Sequence, residues 1–222
     1  MAKAVVLLSG GMDSATALAV AKSNSCNCFA LSIDYGQRHQ YELQAAQSVA
    51  EHLGVLEHKI LTFDLTHFGG SALTDKTYSI PESEAAGIPI TYVPARNTIF
   101  FSLALAWSEV IGAKYIYSGV NAVDYSGYPD CRPEYITALQ VLVNLATKKT
   151  VEGNAILVKT PLIHLTKAEI ILLGQEKGVD FSKTVSCYQI TQDGISCGVC
   201  DACRLRMQAF KEVQIEDKID YV

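Results

Sequence analysis

No apolar stretch in this sequence approaches the roughly 18 residues needed to cross a bilayer, so a soluble protein with no membrane partner is expected. Internal repeats and low-complexity tracts are also missing, which excludes solenoid, fibrous and disordered classes. Basic charge is in short supply. The formal net charge is -5, so no long electropositive track for nucleic acid is expected, and a small-molecule substrate suits the balance better. The first ten residues, MAKAVVLLSG, hold a short apolar run, but it ends at a Gly-Gly turn with no small-residue cleavage pattern. That run therefore reads as a first buried strand and not as a signal peptide. His39, His52, His58, His67 and His164 have no metal-ligand spacing among themselves.

What is present suits one ordinary globular domain: 222 residues, 49% apolar and 18% charged. Seven cysteines could suggest a disulfide scaffold, but the chain is too long to need one and four of them crowd the C-terminal end. Such clustering favours metal over disulfides and a reducing, cytoplasmic compartment.

Apolar runs of strand length alternate with stretches of helical periodicity. Expected strands are 4–8, 29–33, 58–61, 115–118 and 156–159. Expected helices are 13–22, 41–53, 97–111, 133–147 and 166–177, with Gly54 and Gly112 as stops and Thr166 with Glu169 as a capping box. This alternation predicts a doubly wound α/β fold, a parallel sheet with helices on both faces. Ligands of such sheets bind beyond the carboxyl ends of the strands. Two long connections fall there, residues 62–96 and 119–132, and loops of that length are usually functional or disordered.

The sharpest local signal is Ser9-Gly10-Gly11-Met12-Asp13-Ser14, placed between a strand and a helix. Two glycines let the backbone turn tightly and approach a ligand, and the helix N-terminus offers unpaired N–H groups to an anion. A Gly-Gly turn capped by Asp or Ser also opens many ordinary helices. No Gly-Lys-Ser/Thr follows, so this is not the Walker loop. Asp13 reads equally as a first-turn dipole partner and as an acid on the metal or phosphate side.

At the other end, Cys187, Cys197, Cys200 and Cys203 are spaced Cys-x9-Cys-x2-Cys-x2-Cys. Two-residue spacers let thiolates converge, and four thiolates complete a closed, structural zinc site. An iron-sulfur cluster competes, but the ferredoxin run would place Cys and Pro where Met207 and Gln208 stand. Cys26, Cys28 and Cys131 read as small core or surface residues. Residues 119–132 gather carboxylate, aromatic, amide and guanidinium groups in one connection. Those groups could read a purine-like edge and a substrate carboxylate, or simply form a solvated turn.

The hexapeptide resembles the SGGxDS loop of the ATP pyrophosphatase family. That likeness implies cleavage between the α- and β-phosphates, an adenylated substrate, and Mg²⁺ bridging phosphate oxygens. Over nearly the full length the chain resembles the 7-cyano-7-deazaguanine synthase family. The residues that carry this resemblance are SGGMDS, YGQRH at 35–39, VPARN at 93–97, GVNAVDYSGYPDCRPEY at 119–135, TPLIHLTKAEI at 160–170, and SCY with CGVCDACRLR within 186–206. The family pattern usually has Gly where Ala95 stands, a mild departure.

The resemblance implies an ATP-dependent carbon-nitrogen ligase of the queuosine pathway. It would join 7-carboxy-7-deazaguanine and ammonium into a nitrile through an adenylated carboxylate and an adenylated amide. It also implies a homodimer. By role, Leu8, Ser9, Gly10, Gly11, Met12, Asp13, Ser14, Ala15 and Thr16 fall at the phosphates, and Tyr35, Gln37 and Arg38 near the nucleotide's mouth. Arg96 and Lys167 are candidate charge stabilisers, while Asp124, Tyr125, Asp130 and Arg132 are candidate readers of the deazapurine, the last two also catalytic. The chain divides on this reading into an ATP-binding core, 1–183, and a zinc region, 184–222, within a single domain. No length then remains for a glutaminase domain, so free ammonium is the expected nitrogen source. Two rivals remain: a tRNA thiolase on the same loop, and a non-enzymatic nucleotide-binding module.

Overall fold

A computed structural model describes residues 1–81, 87–123 and 127–222. The candidate substrate readers Asp124 and Tyr125 lie outside the described residues.

Five strands form one all-parallel sheet: β1 (Lys3–Leu7), β2 (Asn27–Asp34), β3 (Glu57–Thr62), β4 (Tyr115–Tyr117) and β5 (Leu157–Lys159). Their order is β3-β2-β1-β4-β5, with β1 paired to both β2 and β4. Parallel neighbours need crossovers, and these are supplied by α1 (Met12–Ser23), α2 (Tyr41–Leu53), α3 (Arg96–Ile111) and α4 (Pro133–Leu145) with α5 (Lys148–Val151), while α6 (Lys167–Glu176) and α7 (Asp201–Glu212) follow the last strand. The chain winds from β1 towards β3 and then returns to place β4 on the other side of β1. That reversal makes the carboxyl ends of β1 and β4 a topological switch point.

Alternation along β1 divides the core between the two faces. Val5 joins Phe101, Ala104, Leu105 and Trp107 of α3 and Leu139 and Val143 of α4 on one side. Ala4 and Val6 join α1, Ala46 and Val49 of α2, Ile171 of α6 and Phe210 of α7 on the other. This is the pattern of strands buried on both faces, and it makes the sheet doubly wound, as expected.

Two local findings differ from the periodicity. The helix expected over 133–147 stops at Leu145, because Thr147 turns extended and its hydroxyl accepts from the Thr150 N–H at 3.3 Å, starting the short α5. Helix α7 was not expected. Its Arg206 is 1% exposed, and a charge in the core breaks the apolar period that would have announced a helix. The capping box at Thr166 and Glu169 is present.

Candidate active site and metal site

The phosphate-type loop leaves β1 at the switch point. Gly10 has φ +85°, and a Cβ there would lie 2.2 Å from the Glu42 carbonyl oxygen and 2.7 Å from the Ala46 nitrogen, so only glycine fits. Gly11 is different. Its φ is -79°, and a Cβ would meet nothing closer than the Val185 oxygen at 3.5 Å. Helix α1 begins at Gly11 with no side-chain cap, leaving the first-turn N–H groups without that partner. Ser14 Oγ donates to the Gly11 carbonyl at 2.9 Å and accepts from the Ser9 N–H at 3.2 Å, which holds the loop closed on itself. From across the chain the Val185 N–H donates to the Gly10 carbonyl at 3.0 Å.

Over this loop opens a cavity of about 250 Å³, near the lower end of ligand-sized pockets. Leu8, Ser9, Gly11, Met12, Asp13 and Ser14 line its floor. Tyr35, Gln37, Glu42, Arg96, Lys167 and Tyr188 contribute polar groups to its walls. Gly10, Ala15 and Thr16 support the loop from behind; Thr16 is fully buried and its hydroxyl donates to the Met12 carbonyl at 2.9 Å. Lys167 Nζ pairs with Asp13 Oδ2 at 2.7 Å, while the buried Asp13 Oδ1 has no hydrogen-bond partner. Lys167 reaches the cavity because Asn121 holds the preceding segment, donating from Nδ2 to the carbonyls of Leu162 at 2.9 Å and Leu165 at 2.5 Å.

Arg96 stands at the start of α3, with its guanidinium 5.6 Å from the Tyr35 ring centre and 3.4 Å from the Tyr35 hydroxyl. Burial alone would lower its pKa, but the Tyr35, Tyr128, Glu42 and Tyr188 groups around it outweigh that and raise it, so it stays a cation. Burial pushes the Tyr35 phenol up to about 12. Cys131 also lines the cavity; burial, then the nearby Asp130, drives its thiol up to about 12, so it is no nucleophile at neutral pH. Burial likewise raises the Glu42 carboxyl, to about 7, even though Arg96 pulls it down.

Besides Gly10, Ala15 and Thr16 behind the loop, three more expected site residues, Arg38, Asp130 and Arg132, do not line the cavity. The Arg38 guanidinium donates to the main-chain carbonyls of Ala72 at 2.6 Å, Asp75 at 3.3 Å and Tyr78, so it pins the 62–81 connection and does not line the cavity. Asp130 is buried, and its Oδ2 accepts from the Asn97 N–H at 3.0 Å, satisfying an orphan donor at the start of α3. Arg132 is an exposed residue that begins α4. Conversely, Glu42, Asn97, Tyr128, Cys131 and Tyr188 line the cavity without having been singled out as site residues. Glu42 resembles any first-turn acid of a helix, where the dipole alone explains a carboxylate.

The four C-terminal cysteines converge. Their sulfur atoms all lie within 4.8 Å of one another, close to the roughly 3.8 Å edges of a tetrahedron with metal–sulfur bonds of about 2.3 Å. N–H groups of Gln189 and Cys197 donate to Cys187 Sγ at 3.2 Å each, and Cys200 begins α7, whose N-terminus favours negative sulfur. Hydrogen bonds from Cys187 and Cys203 hold the Cys200 thiol far below its ordinary range, and giving those bonds raises the other two. Such a donor set fits a soft divalent metal with no open position.

An all-parallel sheet that reverses at β1, with a glycine loop and a cavity at its carboxyl edge, defines an α/β protein of the pyrophosphate-loop fold. Two solved structures share that fold. A predicted tRNA methyltransferase subunit from Methanocaldococcus jannaschii matches with TM-score 0.51 and 20% identity over 78% of this chain and 76% of its own. A 4-thiouridine synthetase, in complex with RNA and bound ATP, matches with TM-score 0.52 and 19% identity over 95% of this chain and 53% of its own. More specifically, the sequence profile described as Queuosine biosynthesis protein QueC matches residues 3–214, and the chain belongs to that family. The 7-cyano-7-deazaguanine synthase of Saccharophagus degradans is 59% identical over 99% of this chain and 97% of that relative. Those of Pseudomonas aeruginosa, at 57% over 99% and 98%, and Coxiella burnetii, at 55% over 100% and 99%, are similar throughout.

Proposed function

We propose that this chain converts 7-carboxy-7-deazaguanine and ammonium to 7-cyano-7-deazaguanine, consuming ATP to AMP and pyrophosphate. The observation that carries this reading is the meeting of the glycine loop with Arg96 and Lys167 in one cavity, in a chain aligned almost end to end with relatives bearing that synthase name. Main-chain amides of Ser9–Ser14 would hold the phosphates, with Leu8 beside them and Ala15 and Thr16 fixing the helix start. Arg96 and Lys167 would neutralise charge as the α-phosphorus is passed to the substrate's oxygen. Tyr35 and Gln37 would border the nucleotide, and Asp124 and Tyr125 would read the deazapurine. Asp13 Oδ1 is a fitting contact for Mg²⁺, which supplies charge neutralisation on the phosphates when bound. Cys187, Cys197, Cys200 and Cys203 would hold structural zinc, making 184–222 a metal-braced wall on the 1–183 core. Sulfur transfer to tRNA, the rival the loop alone leaves open, has no support from the relatives' names.

We further expect a cytoplasmic homodimer; among the described residues no helix is long and apolar enough to cross a membrane. The test of the reaction is direct. Protein, ATP, Mg²⁺, ammonium and 7-carboxy-7-deazaguanine should yield the nitrile and AMP by mass spectrometry. Well-folded, metal-replete protein that gives no nitrile, or gives ADP in place of AMP, would defeat the proposal.

A further inference from the structure

The nitrogen that enters as ammonia ends as a nitrile and must shed three protons on the way, one when the amide forms and two when it is dehydrated. A cavity able to catalyse this needs a proton acceptor whose own chemistry is otherwise unspent. Among the described residues only two acids line the cavity, Asp13 and Glu42. Asp13 is held by Lys167 Nζ at 2.7 Å. Asp130 is off the cavity and accepts from the Asn97 N–H, and His39 is off it with Nε2 against the Cys187 carbonyl at 2.9 Å. Cys131 and Tyr35 face the cavity as a protonated thiol and phenol with pKa near 12. Glu42 remains.

Glu42 is placed for the task by the loop it touches. It sits in the first turn of α2, and its carbonyl oxygen packs so closely over Gly10 that a Cβ there would be 2.2 Å away. Backbone contact thus holds the start of α2, and Glu42 with it, against the loop proposed to cradle phosphate. Its carboxylate stands in the electrostatic field of Arg96 from α3 and of the Tyr35 phenol beyond β2, with the Asp13–Lys167 pair across the same cavity. No hydrogen bond or ion pair within the described residues occupies it.

Resting on the proposed reaction, we propose that Glu42 is the proton acceptor for the nitrogen. In the first half, ammonia attacks the acyl carbon of the adenylate, a C–N bond forms, and the C–O bond breaks with its electron pair leaving on AMP. Glu42 takes the proton from the resulting nitrogen cation, giving the neutral amide and Glu42 carboxylic acid, which returns the proton to water. In the second half, the amide oxygen attacks the α-phosphorus of a second ATP and pyrophosphate leaves. Glu42 removes one N–H proton from the adenylated amide cation and, after passing it to water, removes the other as the C–O bond breaks. The N–H electron pair becomes the third C–N bond, and AMP departs with the C–O pair. A carboxyl titrating near 7 accepts and releases protons readily at neutral pH, which suits a group that must act three times per turnover.

Adenylation of a carboxylate moves no proton, and that separates the step from the rest. The assay pairs substrate-dependent exchange of labelled pyrophosphate into ATP with nitrile formation, both followed from pH 5.5 to 8.5 at constant free ammonia. Glu42→Gln should retain exchange while nitrile formation falls about 100-fold or more. Wild-type nitrile formation should rise with pH through about 7, and that limb should vanish in the variant. Equal loss of exchange and nitrile formation, or a variant with the wild-type rate and profile, overturns the proposal. Should the Gln variant not fold, Glu42→Asp decides: a larger loss in nitrile formation than in exchange with the pH limb kept supports the role, and a parallel loss refutes it. Wild-type protein that shows no exchange at all would instead remove the proposed reaction itself.

Discussion

Ala95 occupies the left-handed region, with φ +54° and ψ 18°, directly before α3. A Cβ in that region costs about 1–2 kcal/mol, and glycine carries no such cost. The conformation persists because it is fixed on both sides: the Ala95 N–H donates to the Tyr92 hydroxyl at 3.0 Å, and the Ala95 carbonyl accepts from Ile99 at 3.1 Å. It also aims Arg96, the next residue, into the cavity. A glycine here would be the relaxed solution to the same backbone. Ala95→Gly should therefore stabilise the protein, with part of the gain offset by the looser unfolded chain. A net gain of about 0.5–1 kcal/mol, a rise of a few degrees in Tm, is expected by thermal denaturation. A lower Tm would show that the strain is compensated elsewhere.

Among elements, the β1–α1 turn separates two glycines that look equivalent in the sequence. Gly10→Ala meets backbone atoms of α2 and a positive φ, so it should destabilise the fold by several kcal/mol or prevent folding. At Gly11 a Cβ meets nothing closer than 3.5 Å and the residue lines the cavity, so Gly11→Leu should fold with nearly wild-type Tm yet fail to bind ATP by calorimetry. Reversed phenotypes would mean that the loop does not cradle phosphate as proposed. The contrast also marks what was legible in advance. Strand and helix order, the loop, the Thr166 cap and the cysteine convergence follow local rules of period and spacing, and each is present. Arg38 and Asp130 could not be placed that way, because their partners are main-chain groups 33 to 40 residues distant. Glu42 was hidden by an ordinary local explanation, and α7 by the charge buried within it.

At the scale of the whole molecule, the metal-type cluster and the cavity share a wall. Arg206, 1% exposed, donates to the carbonyls of Phe181 at 2.9 Å and Thr184 at 3.1 Å and pairs with both oxygens of Asp217 at 2.8 and 2.9 Å. Tyr221 ties Asp217 in turn, its hydroxyl donating at 2.7 Å. These bonds carry the C-terminal segment to Val185, whose N–H reaches Gly10, and Val185, Ser186, Tyr188 and Ala202 complete the cavity. Cys187 falls within that wall and Cys200 and Cys203 bracket Ala202, so metal release should free the wall from the loop. The sheet and α1–α6 supply most of the core residues on both faces, with only a few from α7 and its approach, and should survive. Elemental analysis should return about one zinc per chain. Stripping it with a strong chelator should abolish ATP binding while far-UV circular dichroism keeps most of its signal, and added zinc should restore binding. Unchanged ATP affinity in metal-free protein would show that the ionic clasp at Arg206 holds the wall alone, whereas iron with acid-labile sulfide would replace zinc as the resident metal.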